Sequence, residues 1–268
     1  MSEPEPNPSP DGAGADEQGK MSFFDHLTEL RTRIVWSLIP AAVGLGIALY
    51  FTSNVMKFLM RHLTTELVFT TPTEAFWTYM KVAMILGLFI AMPIILWNVW
   101  AFVAPGLHKH ERKYAAPFVI VGSLLFIGGG AFALFVIVPF AMTFLVTFGQ
   151  EQGLKPMITI SSYIDFILKF TLAFGVVFEM PVVITLLSML GIVTPQFLSK
   201  NRKYAILINF IIAAILTPTP DAINQTLMAG PLIILYEVGI IAARVFGKRP
   251  AKPEPVAEPA AVDGGGAP

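Results

Sequence analysis

Two carboxylates in this chain of 268 residues stand on strongly basic ground. Glu29 lies in the segment HLTELRTR, residues 26–33, and Glu111 lies in HKHERK, residues 108–113. A carboxylate that opposes the field around it suits a cationic ligand, and two suit a pair of guanidinium groups, whose planar forks bind carboxylate bidentately. Each also has a plainer role. Glu29 and Arg33 are spaced i,i+4 as a helical ion pair, and Glu111 falls in a first helical turn, where the dipole favours an acid. A third carboxylate, Glu179 in FGVVFEMP, residues 174–181, interrupts an apolar run. In hydrocarbon an acidic side chain costs about 2.5 to 3.5 kcal/mol on insertion scales. Glu179 is therefore either a neutral acid bonded inside a helical bundle or a polar point on a path through a membrane. Pro181 frees a backbone carbonyl beside it, where water can bind.

Recognisable catalytic chemistry is missing. The chain has no Cys, hence no disulfide framework and no thiolate ligand or nucleophile. No Walker A motif, H-E-x-x-H, G-x-S-x-G or dinucleotide fingerprint occurs. Asp165 and Glu179 are about four helical turns apart, too far to share a water. His108 and His110 lie on a basic loop, where solvation is a commoner fate than metal ligation. No metal, cofactor or nucleic-acid partner is expected, and the chain is expected to bind and move something rather than to be an enzyme.

The elements that must position these residues follow from composition. Fifty-five per cent of the residues are hydrophobic and 13% are charged, with a mean hydropathy of +0.69. A soluble domain carries about a quarter charged residues, so this is an integral membrane protein. Uncharged or nearly uncharged runs cover Ile34 to Phe51, Val82 to Val103, Tyr114 to Phe148 and Tyr163 to Leu190. Pro139 is a place for the third run to kink or end, and Asp165 and Lys169 form an i,i+4 pair on the fourth. Ala205 to Leu216 and Thr226 to Ala243 follow, separated by a Pro-rich turn. They read either as two short crossings or as one re-entrant hairpin. Asp221 in that turn is placed to cap the next helix. Val55 to Leu63 resembles a short amphipathic helix lying at the interface.

Basic residues set the topology. Twelve of the eighteen Lys and Arg fall in alternate connecting segments, against only Asp25, Glu29 and Glu111 there. Six crossings with both termini in the cytoplasm fit this distribution. Residues 1–20 form an acidic, Pro- and Gly-rich tail expected to be disordered, residues 21–249 the six-helix transmembrane domain, and residues 250–268 a second disordered tail.

Four segments in order, HLTELRTR, VWAFVAPGLHKHERK, FGVVFEMP and LTPTPDAINQ, resemble the TatC subunit of the bacterial twin-arginine protein translocase. The resemblance covers about Ser22 to Phe246. It implies an all-α integral membrane protein of the bacterial cytoplasmic membrane, with six transmembrane helices in a concave cup, the fifth and sixth short. It implies a receptor for signal peptides with paired arginines on folded cargo proteins, driven by the proton motive force. By the same resemblance Glu29 and Glu111 contact the twin arginines, Arg31 supports the entry motif, and Phe102 and Leu107 shape the recognition surface. Glu179 becomes the buried acid of the concave side. Asp221 and Gln225 match the family's last external turn, which here reads TPTPD where relatives often have TPPD. Implied partners are TatA- and TatB-type single-span subunits, membrane lipid and further copies of the chain. A proton-coupled small-molecule transporter using Glu179 is the competing reading, but it predicts inverted repeats that the sequence does not display. An intramembrane enzyme lacks a nameable nucleophile and base.

Overall fold

The computed structural model describes residues 23–61, 67–107, 112–217 and 221–247. Within them the chain is almost wholly helical. Helices α1 Phe23–Met60 and α2 Pro72–Val103 come first, followed by α3 Ala115–Phe132 and α4 Val138–Glu151. Next are α5 Ile160–Phe178, α6 Met180–Met189, α7 Pro195–Lys200, α8 Arg202–Leu216 and α9 Ala222–Phe246. A π turn at Ala133–Ile137 joins α3 to α4, and α5 and α6 are interrupted only at Glu179. Five rods are thus long and apolar enough to cross a bilayer. Helix α8, with 15 residues, spans only about 22 Å against a hydrocarbon core near 30 Å. The tails at 1–20 and 250–268 lie outside the described residues.

Several local expectations are corrected. The segment from Val55 is no separate interfacial helix: α1 runs on through Met60. Met56 and Leu59 are buried in the main apolar cluster, and the Tyr163 hydroxyl donates to the Leu59 carbonyl at 3.1 Å. Pro139 does not end the third rod. It sits in the first turn of α4 just after the π turn, which widens the coil where a proline ring would otherwise collide with the preceding turn. Asp165 pairs with Lys81 of α2 at 2.7 Å rather than with Lys169, since a partner on a neighbouring helix ties two rods together. The last helix is longer than expected, with 25 residues. Asp221 Oδ1 does accept from the Asn224 amide at 2.7 Å, capping it.

Helices α1 and α2 meet where neither has a side chain. A Cβ on Gly87 would fall 2.6 Å from the Leu45 amide nitrogen, and one on Gly44 would strike the Gly87 carbonyl. Small residues at a crossing let two backbones approach closely, which is how helices gain contact in lipid. At the end distal to Arg31 and Arg33, the connections are tied down. Val68 bridges Thr159, with Ile160 N donating to Val68 O at 2.9 Å. Glu74 accepts from Thr70 N at 2.7 Å and from Ser161 N at 3.0 Å. At the opposite end Arg202 grips Glu237 at 2.7 Å, Tyr236 donates to the Leu198 carbonyl at 3.0 Å, and Arg244 donates to Ser199. Leu216 at the end of α8 and Met228 of α9 belong to the same apolar cluster as Met56, Leu59 and Tyr163.

Gly87→Val drives a branched side chain into backbone that cannot rotate away. It is expected to cost on the order of 3 kcal/mol. Gly46→Ala, where an added Cβ meets nothing within 4 Å, leaves the thermal midpoint unchanged or slightly raised. Parallel melts of the purified variants in detergent check both.

Candidate functional site

The basic end gathers most of the residues singled out by sequence. Glu29 lies one turn before Arg33 on α1, and the Arg33 guanidinium donates to Glu29 Oε1 at 3.3 Å. The expected i,i+4 pair is present. The second oxygen, Oε2, is buried and has no hydrogen-bond partner among the described residues. Glu29 also lines a cavity of about 480 Å³, together with Thr28, Thr32, Arg33 and Trp36 of α1 and Asn98 of α2. Arg31 is exposed and does not line this groove.

Asn98 is a site residue that motif reading passed over. It is buried, and its amide is the lone strongly polar group in the run Val82 to Val103, which was the available signal. Phe102 follows one turn later on the same face of α2 and is half-buried. Leu107 takes a different part. After the short turn Ala104–Gly106 it is buried against Trp100, Leu186 and Met189, which ties the loop to α6. Glu111, with His108 and His110, lies outside the described residues.

Glu179 stands apart from this groove, at the break between α5 and α6. Its amide reaches back to Val176 O at 3.1 Å, and its carbonyl accepts from Val183 N at 2.9 Å. Pro181 in the first turn of α6 has no N–H to continue the ladder. The residue is 8% exposed, and neither carboxyl oxygen finds a hydrogen-bond partner among the described residues. It lies beside Gly122 of α3, where a Cβ would come within 3.2 Å of Oε2 and 2.7 Å of Leu96 Cδ1. Gly122 therefore makes the space that the carboxyl occupies.

Asp221 and Gln225 are at the other end of the molecule. Asp221 caps α9, and Gln225 Nε2 donates to the Phe210 carbonyl at 3.1 Å, stitching α9 to α8.

The family model for the Sec-independent protein translocase protein TatC matches residues 25–231. The chain belongs to the TatC family. It is 47% identical over 231 residues to the Sec-independent protein translocase protein TatC of Carboxydothermus hydrogenoformans, covering 85% of this chain and 95% of that one. Against the TatC protein of Koribacter versatilis it is 44% identical over 229 residues, covering 82% and 84%. A crystal structure described as the twin-arginine translocase receptor TatC in DDM superposes with a TM-score of 0.71 at 39% identity, over 81% of this chain and 99% of that one. The four TatC-like segments all fall inside the matched residues. As a TatC-family chain with five long apolar helices, it is a multi-pass protein of the bacterial inner membrane and a component of the twin-arginine translocase, with a role in transport.

Because the Glu179 carboxyl is buried without a hydrogen-bond partner among the described residues, Glu179→Leu removes a desolvation cost and is expected to leave the thermal midpoint unchanged or raised. A drop of several degrees in a detergent melt would show instead that the carboxyl holds the bundle together.

Proposed function

We propose that this TatC-family chain is the receptor subunit of its translocase, taking the paired arginines of a signal peptide at the basic end. The observation that carries the reading is Glu29. One carboxylate oxygen rests on Arg33 at 3.3 Å, while the other is buried with no partner among the described residues, and Glu29 lines a cavity. An incoming guanidinium completes that carboxylate, and a hydrogen bond to a charged group is worth about 1.5 to 3 kcal/mol. Glu111, on the neighbouring loop in sequence, supplies the second acid. Arg31 supports the entry helix and Phe102 extends the groove past Asn98. The chain carries out no catalysis of its own. A solved relative described as the twin-arginine translocase receptor supports the reading at 39% identity.

The same reading has six crossings with both termini in the cytoplasm. Arg31, Arg33, Arg112, Lys113, Lys200, Arg202, Lys203 and Arg244 all belong to helix ends or connections on one side, as the positive-inside rule requires of the cytoplasmic face. Helix α8 is then a short fifth crossing, which the bilayer meets by thinning or by pairing it with a partner's short helix. Partners are single-span subunits of the TatA and TatB type and further copies of this chain. Glu179 is the buried acid that couples transport to the proton motive force.

Binding of a labelled twin-arginine signal peptide to the purified chain tests the site. Glu29→Ala or Glu111→Ala is expected to weaken it about tenfold or more, as is changing both peptide arginines to lysine, since lysine offers a point charge in place of a fork. Equal binding by all of these would overturn the assignment. Glu179→Leu is expected to insert normally yet lose export of a folded reporter. Retained export would remove Glu179 from the mechanism.

A further inference from the structure

A second cavity lies away from Glu29, and Glu179 itself does not line it although Pro181 and Val182 do. Helices α3 and α9 both pack on α6, and between them runs a slot of about 300 Å³. Its walls include Phe118, Val121 and Leu125 of α3, Val182 of α6, and Val238 and Phe246 of α9. Two hydroxyl-bearing residues line the slot, Tyr114 and Thr185, and Thr185 Oγ1 is satisfied internally, donating to the Pro181 carbonyl at 2.7 Å. The rings of Tyr114 and Phe246 meet edge to face at 5.7 Å where the ends of α3 and α9 come together. Next to that mouth are Arg112 and Lys113, both exposed, with Lys113 Nζ 5.3 Å from the Tyr114 ring centroid.

The dimensions select the occupant. From Tyr114 to Leu125 the slot runs about 16 Å along α3, one leaflet of a hydrocarbon core near 30 Å. A helix of that length and about 10 Å diameter would fill on the order of 1,200 Å³, several times the space available. A single hydrocarbon chain fits where a helix does not. The charges at the mouth add a headgroup preference, since basic residues at a membrane surface attract anionic lipid and basic pockets between helices hold its phosphate.

We propose that the α3–α6–α9 slot binds one acyl chain of an anionic phospholipid from the leaflet at the basic end, with the phosphate held by Arg112 and Lys113. The lipid fills the gap that α6 leaves between α3 and α9 and seals the Tyr114–Phe246 seam.

The test is native mass spectrometry of the purified full chain, delipidated and then given phosphatidylglycerol or phosphatidylcholine. The wild type is expected to retain one phosphatidylglycerol at least fivefold better than phosphatidylcholine. Val121→Phe and Val238→Phe, made separately at partly exposed positions, each narrow the slot and are expected to cut retention about tenfold. Arg112→Ala combined with Lys113→Ala changes only exposed side chains and is expected to abolish the preference for the anionic lipid while some binding remains. Retention and preference unchanged in all three variants would overturn the proposal. A photoreactive side chain at Val121, activated in native membranes, is expected to label phospholipid, and labelling of a polypeptide instead would equally overturn it.

Discussion

A bilayer core offers a polypeptide no hydrogen-bond partners, and every feature of this fold answers that constraint. Backbone groups are satisfied within each rod, so the places where a rod departs from regular α-helix carry the information. Besides the interior prolines Pro40, Pro93 and Pro231, two such departures change the winding inside the long rods. The π turn at Ala133–Ile137 absorbs Pro139 without breaking the rod. The break at Glu179 absorbs Pro181 and brings a buried carboxyl to the same point. The first is a solution to a packing problem. The second places a titratable group where a membrane charges most for it, and Gly122 of α3 gives it room.

The two ends of the molecule are built on different principles. The end with Val68, Glu74 and Asp165 is closed by backbone pairing and by acids that already have partners in Thr70, Ser161 and Lys81. The basic end keeps an acid half engaged, since Glu29, which lines a cavity, shares one oxygen with Arg33 and leaves the other without a partner among the described residues. A zero formal net charge conceals this division, because acidic tails offset a strongly basic membrane-proximal face. What matters for recognition is the local contrast of a carboxylate against cations.

Much of this was legible in the sequence, and the reasons are physical. Apolar runs of eighteen residues or more announce themselves by composition, and the Glu29–Arg33 pair and the Asp221 cap are local, so spacing suffices to find them. The misses were non-local. Lys169 sits at i+4 from Asp165 and looks like its partner, whereas the actual cation, Lys81, is 84 residues away and leaves no periodic trace. The first apolar run stops at Phe51, and Val55 to Leu63 reads as a separate amphipathic helix, yet α1 runs on through Met60 with Met56 and Leu59 buried. Glycine is frequent in membrane helices, so nothing marked Gly44 and Gly87 as the pair that meets.

The contacts between helices also differ in how far apart in the chain their partners lie, and this orders assembly in time. Gly44 and Gly87 belong to consecutive helices, so α1 and α2 can pair as a hairpin as soon as both have entered the membrane. The clasp at the far end cannot. Ser161 lies 87 residues beyond Glu74, and until α5 has been synthesised and inserted, Glu74 has only Thr70 to satisfy it. Long-range contacts wait on loop closure, and domains emerge N-terminal part first. Closure of the clasp therefore has to wait for α5, and it joins helices whose clasp residues lie 87 positions apart.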